Sequence, residues 1–178
     1  MASERELAPS EWSVLGLLCV APTHGWTLTR ELSRRGELGL IWMTGRPVVY
    51  RSLEFLEERK LIRRLDVEPS PQGPPRVVFG PTPAGRRAFK RWLAEPVTHL
   101  RDMRPLFLLK LVLAERAGIT PPPILAAQAE AFTGAVESLE AELAESSGTE
   151  RLLIRFRLES TRAALHFIAS LLDEAEQG

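Results

Sequence analysis

Residues 44–82 read TGRPVVYRSLEFLEERKLIRRLDVEPSPQGPPRVVFGPT, and a change of period inside this stretch decides the fold. Thr44 or Gly45 can cap a helix, and Pro47 suits its first turn, where proline has no needed N–H to lose. Val49, Leu53 and Leu56 then fall on one stripe, whereas Arg46, Tyr50, Arg51 and Glu54 fall largely off it. From Leu61 the period becomes two. Leu65-Asp66-Val67-Glu68 alternates, and Arg76-Val77-Val78-Phe79 is a β-branched and aromatic run. Between these runs lie four prolines and a glycine in the seven residues 69–75, the composition of an exposed loop. The stretch therefore predicts a helix followed by a β-hairpin with a projecting tip.

Upstream, Ser10 can cap a helix reaching Val20, with Glu11 in its first turn and Trp12, Leu15 and Cys19 at helical spacing. Pro22-Thr23-His24-Gly25 breaks the chain, and a second helix is expected from Trp26 to about Arg35, stopped by Gly36. The connection from Glu37 to Met43 is apolar at Leu38, Leu40, Ile41 and Trp42 and is expected to pack. Downstream, Thr82-Pro83 opens a helix that runs to about Glu95, before Pro96. Three short helices and a hairpin make a winged helix-turn-helix. In that arrangement the third helix enters a DNA major groove and the wing touches the backbone or minor groove.

The remainder reads as helix: Leu106 to Ala117, Ile124 to Ser146 and Glu150 to Glu176. Phe132, Val136, Leu139 and Leu143 are spaced 4, 3 and 4 apart, and the last helix has more than one apolar face. Two such helices cannot bury everything against each other, so a second copy of the chain is the simplest cover. The expected fold class is mainly α with a small β-hairpin. Residues 1–96 form the winged helix-turn-helix, and residues 97–178 form an antiparallel long-helix domain that dimerises and can bind an effector.

Charge separates the same two regions. The 178 residues carry 23 Lys+Arg and 23 Asp+Glu, but 17 of the cations and 12 of the acids fall at or before Arg104. The first part is thus five positive charges in excess and the second five negative, as suits a region that meets a polyanion and one that avoids it. Chance could also give an imbalance of this size. One cysteine excludes an internal disulfide framework and multi-cysteine zinc sites. The longest apolar stretch, Val14 to Ala21, is too short to span a bilayer, and the N-terminus lacks the pattern of a signal peptide, so the cytoplasm is the expected compartment.

No catalytic constellation emerges, and no cofactor or metal is expected. His24, His99 and His166 are scattered, there is no glycine-rich phosphate loop, and Cys19 among apolar neighbours reads as a buried structural thiol. The DNA-binding candidates are Thr44, Arg46, Tyr50 and Arg51 on the third helix, Arg30, Arg34 and Arg35 on the second, and Arg63, Arg64, Gln72 and Arg76 on the wing. The alternatives are a Tyr50 ring at the edge of the core, an Arg51–Glu54 pair and solvated arginines on the strand. Arg86, Arg87, Lys90 and Arg91 read as a solvated face.

The ordered set of short matches resembles the PadR family of transcriptional regulators over about Leu15 to Leu113. It comprises Val14-Leu15-Gly16-Leu17-Leu18, Pro22-Thr23-His24-Gly25-Trp26, Val49-Tyr50-Arg51-Ser52-Leu53, Leu56-Glu57 with Leu61-Ile62, Phe79 with Thr82 and Gly85, Trp92-Leu93, and Leu109-Lys110-Leu111. The resemblance implies a dimeric, sequence-specific repressor of a palindromic operator, often released by an aromatic or drug-like ligand. Trp92, His99, Arg104, Phe107, Phe132 and His166 could line such a pocket, the rings stacking and the cations pairing with a carboxylate; core packing and surface charge would account for them equally. Two departures stand out. Val48 occupies a position where the family commonly has Thr, so a hydroxyl contact there is lost and Arg46 is the substitute. Pro81 stands where a Leu would precede Thr82. Two other functions fit the sequence, a winged helix used for protein–protein interaction and a ligand-binding module without DNA affinity.

Overall fold

Helix α1, Pro9–Val20, begins earlier than Ser10 could cap it. Ala8 is the capping residue and offers no side-chain acceptor; instead the Glu11 carboxylate accepts the Ala8 backbone N–H at 2.7 Å. The computed structural model describes residues 6–69 and 75–177, so Gln72 and the centre of the proline-rich loop lie outside the described residues.

After α1 come β1 (Thr23–His24), α2 (Gly25–Glu31), α3 (Glu37–Ile41), α4 (Arg46–Glu58), β2 (Ile62–Glu68), β3 (Arg76–Pro81) and α5 (Pro83–Ala94). The expected second helix is shorter, because Leu32 leaves helical geometry and its C=O accepts the N–H of Thr44 at 2.9 Å. The apolar connection is itself helical. Leu38 is fully buried in it, but Leu40, Trp42 and Met43 are exposed, so only part of that segment packs. The expected third helix is therefore α4, the fourth in order. The expected hairpin is the larger part of a three-stranded antiparallel sheet in the order β1-β3-β2, with Thr23 opposite Phe79 and His24 opposite Val78. Two residues of strand before α2 are too few to carry an alternation signal, which is why the sequence hides β1.

Val49, Leu53 and Leu56 of α4 are buried together with Leu15 and Leu18 of α1, Leu28, Leu32, Ile62 and Phe89. α4 ends on a paired turn in which the N–H of Leu61 reaches the C=O of Leu56 and that of Lys60 the C=O of Glu57, both at 2.9 Å. Lys60 sits at φ 57° to make that turn. The chain then leaves α4 directly into β2.

Beyond α5, Leu100–Asp102 forms a 3-10 turn and Met103–Leu108 a wide π turn, followed by α6 (Leu109–Arg116), α7 (Pro122–Glu145) and α8 (Gly148–Gln177). The described chain divides into two compact units, 1–93 with 108–119, and 94–107 with 120–178. α6 packs against α1 and so belongs to the first unit. In the second, α7 and α8 form an antiparallel pair around Leu139, Ile154 and Leu158, with Val136 and Leu143 at its margin. Buried Gln128 closes this unit: its carbonyl oxygen accepts the Val97 N–H at 2.8 Å and its amide donates to the Val97 C=O at 2.9 Å. No helix among the described residues is long and apolar enough to cross a membrane.

Candidate nucleic-acid interface

The exposed cationic side chains of the winged unit come from α2 and the turn after it, from α4 and from the sheet. On α4 the buried stripe leaves Arg46, Tyr50, Arg51 and Glu54 facing outward. The Arg46 guanidinium lies 5.5 Å from the centre of the Tyr50 ring, and one side of that ring rests on Gly25, where a Cβ would stand 3.0 Å from two ring carbons. Gly25 is thus the residue that lets Tyr50 lie down at the start of α2 with its phenol edge still exposed. Arg51 is exposed and makes no ion pair among the described residues, so the expected alternative with Glu54 does not occur. The backbone of Gly45, not the Thr44 hydroxyl, occupies the capping position of α4. Thr44 is buried, and its Oγ1 finds no hydrogen-bond partner among the described residues.

Arg34 and Arg35 are exposed in the turn after α2, and Arg63 is exposed on β2. Arg64 is already spent. Its Nε donates to Glu57 at 2.9 Å and its Nη2 to the other carboxylate oxygen at 3.1 Å, which raises its pKa further. Sequence reading passed over Trp26 as a site residue. It is half-exposed, and the guanidiniums of Arg30 and Arg76 both lie over its ring, 5.1 and 5.4 Å from the centre. The clue was its place directly after His24-Gly25, in a position that opens α2.

One side chain braces the winged unit. The Thr82 hydroxyl donates to the C=O of Lys60 at 2.7 Å and accepts the N–H of Gly85 at 3.1 Å, joining the end of α4 to the start of α5 across the base of the wing. Gly85 is required because a Cβ there would stand 2.0 Å from the backbone oxygen of Leu61. This is the physical content of the Thr-x-x-Gly match. Arg86, beside Cys19, donates to the Cys19 C=O at 3.4 Å; burial pushes the Cys19 thiol up to about 11, with the Arg86 charge opposing. Cys19 is a partly buried thiol with no thiolate character at neutral pH, and no cluster of metal-ligating side chains occurs among the described residues.

The six residues suggested for an effector site do not converge. Trp92 is buried in the winged unit, stacked on Trp12 at 4.7 Å with Lys110 over its ring. In the second unit, Phe107 is fully buried and Arg104 and His166 are exposed. His99 and Phe132 do come together, in a cavity of about 210 Å³ lined also by Ser138, Leu139, Arg157 and Thr161. Arg157, which lies 3.9 Å from Glu142, is the cation of this lining, and Arg104 takes no part in it.

Residues 14–91 match the model of the transcriptional regulator PadR-like family, a family of regulators and not of enzymes. Over 92 residues the chain is 28% identical to Probable transcriptional regulator Rv1176c of Mycobacterium tuberculosis, a match covering 52% of this chain and 47% of that protein. The chain thus spans about half the length of the curated relative. Among solved structures, Bacillus subtilis PadR in complex with operator DNA aligns over 93% of this chain and 98% of its own, with 16% identity and a TM-score of 0.47. The same protein in complex with p-coumaric acid aligns over 98% and 99%, with 16% identity and a TM-score of 0.43.

Proposed function

From the match of residues 14–91 to the PadR-like family of transcriptional regulators, we propose that the chain is a member of that family and a cytoplasmic, dimeric, sequence-specific DNA-binding repressor released by a small ligand. The observation that carries this reading is the solvent-facing set Arg46, Tyr50 and Arg51 on α4; Arg34, Arg35 and Arg63 of the same unit are exposed as well. Guanidiniums and a phenol in that arrangement suit phosphate oxygens, and Arg51 also suits a guanine edge in the major groove. Buried Thr44 is the weakest of the candidates and contributes through the placement of α4.

A second copy is supported by the outer face of α8. Leu152, Leu153, Phe156 and Phe167 are 41–69% exposed there, and each apolar side chain of this size gains about 1.5–3 kcal/mol when fully buried. Two copies related by a two-fold would present two α4 helices to successive major grooves, roughly 34 Å apart. The cavity at His99, Phe132 and Arg157 suits a small aromatic acid, whose ring would lie on Phe132 and whose carboxylate would meet Arg157. Release of DNA then requires only that the ligand bind the DNA-free state better, a coupling of about 1–3 kcal/mol.

Gel shifts with the duplex upstream of the chain's own gene test the reading. A complex that prefers this duplex over mixed sequence, weakens with salt and is lost in Tyr50→Ala/Arg51→Ala is the expected result. Equal binding by that variant would defeat it. Sedimentation of a Leu152→Glu/Phe156→Glu variant as a monomer checks the proposed dimer face.

A further inference from the structure

We propose that Trp26 is a positioning residue that gathers Arg30 and Arg76 into one two-guanidinium seat for a DNA backbone phosphate, so that α2 and the base of the wing grip the duplex together. The inference rests on the DNA-binding reading above and names a part of that site which carries no charge of its own. Trp26 is 50% exposed although it opens a helix of a well-buried unit. Both guanidiniums lie over its ring, at 5.1 and 5.4 Å. Arg30 comes from α2, whereas Arg76 is the first residue of β3, directly after the proline-rich loop.

Two like charges do not gather on a protein surface without a reason, since each would sooner diverge into water. The π system of an indole attracts guanidiniums, and Trp26 holds the Cζ atoms of both within 5.4 Å of its ring centre without consuming their N–H donors. Neither arginine makes an ion pair among the described residues, so the donors stay available. Paired guanidiniums with free donors suit a phosphate, which accepts forked hydrogen bonds from each. Because the two arginines come from different elements, the ring also ties the start of β3 to α2. A lysine in either place, lacking a planar fork, would stack less well and take a single direction.

The test measures affinity against salt concentration for the full chain, with the upstream duplex and with a mixed-sequence duplex. Trp26→Leu should lose about tenfold in affinity on both duplexes and flatten the slope of log K against log salt by about 1, although no charge has been removed. Trp26→Phe, which keeps a ring face, should restore most of both. In an Arg30→Ala/Arg76→Ala background Trp26→Leu should have no further effect, because its partners are gone. The arginine Nε–H resonances of residues 30 and 76 should also carry a ring-current shift that disappears in Trp26→Leu. A salt-sensitive wild-type complex that Trp26→Leu leaves unchanged, or an equal loss in the double-arginine background, overturns the seat alone. Absence of any salt-sensitive complex with the wild-type chain overturns the DNA reading and the seat with it.

Discussion

Replacing Thr82 by Val removes one hydroxyl and leaves the shape of the side chain almost unchanged, so its effect isolates the hydrogen bonds at the base of the wing. The native hydroxyl acts in two senses: it donates, to the Lys60 C=O at 2.7 Å with the Leu61 C=O as a second acceptor at 3.1 Å, and it accepts the Gly85 N–H at 3.1 Å. The second is the cap of α5, and loss of such a cap costs about 1 kcal/mol. The first satisfies a carbonyl where Lys60 holds a φ of 57°; a net hydrogen bond of this kind contributes about 0.5–1.5 kcal/mol. Together they predict a loss of about 1.5–2.5 kcal/mol, confined at first to the winged unit. All four tryptophans, Trp12, Trp26, Trp42 and Trp92, lie in that unit, so urea unfolding followed by tryptophan fluorescence reports it selectively. Thr82→Ser keeps the hydroxyl and should retain most of the stability. A Thr82→Val midpoint within error of wild type, or a Thr82→Ser loss equal to that of Val, would refute the assignment of these bonds.

Gln128→Leu should destabilise the second unit by about 2–4 kcal/mol, seen as a lower midpoint in far-UV circular dichroism, because buried Val97 keeps its N–H and C=O but loses both partners. Gly25→Ala should weaken DNA binding more than it lowers stability: the new Cβ would crowd Tyr50 at 3.0 Å, and the ring must lift off α2. Paired binding and unfolding measurements separate the two effects. Cys19 should react with a neutral alkylating reagent slowly at pH 8 in the folded chain and rapidly in urea. Its folded pKa of about 11 lies above the ordinary value of 9.0, so the neutral buried thiol stabilises the fold below about pH 9. That contribution is lost as pH rises towards about 11, and Cys19→Ala should flatten this limb of the stability curve.

The elements that sequence made legible are those whose pattern is long enough to repeat. α4, with its stripe of Val49, Leu53 and Leu56, and α8, with thirty residues of helix, fall in this class. β1 and α3, at two and five residues, are too short to repeat their periods of two and 3.6 residues, so no pattern can build up in them. The exposed arginines were legible as a class, but their roles were not. Arg64 and Arg63 are neighbours on one strand; only the return of β2 past Glu57 of α4 spends the first and spares the second. Trp26 escaped notice because an aromatic residue in a helix reads as core. It is half-exposed, and one of the two cations over its ring, Arg76, comes from β3, far along the chain. The effector candidates failed to converge for a related reason. Rings and cations were chosen by type, and Trp92 turned out to fill the core of the winged unit against Trp12.

Charge gains most from the fold. Counted along the chain, the residues up to Arg104 carry five positive charges in excess and those after it five negative. Counted by compact unit, 1–93 with 108–119 holds 17 Lys+Arg against 11 Asp+Glu, and the remainder holds 6 against 12. The separation widens to six each way because α6 brings Lys110 and Arg116 against Glu115, whereas Glu95, Arg101, Asp102 and Arg104, which pass to the other unit, sum to zero. A chance asymmetry has no reason to sharpen when its boundary is moved to a physical one. The acids of the second unit also work locally: Glu140 and Glu159 share Arg162, and Glu142 lies by Arg157, so three acids meet two cations within the α7–α8 hairpin. What remains is a net negative body that the phosphate backbone repels, joined to a positive one that it attracts. That difference in sign supports the proposed docking through the winged unit, with α4 and the wing towards the duplex.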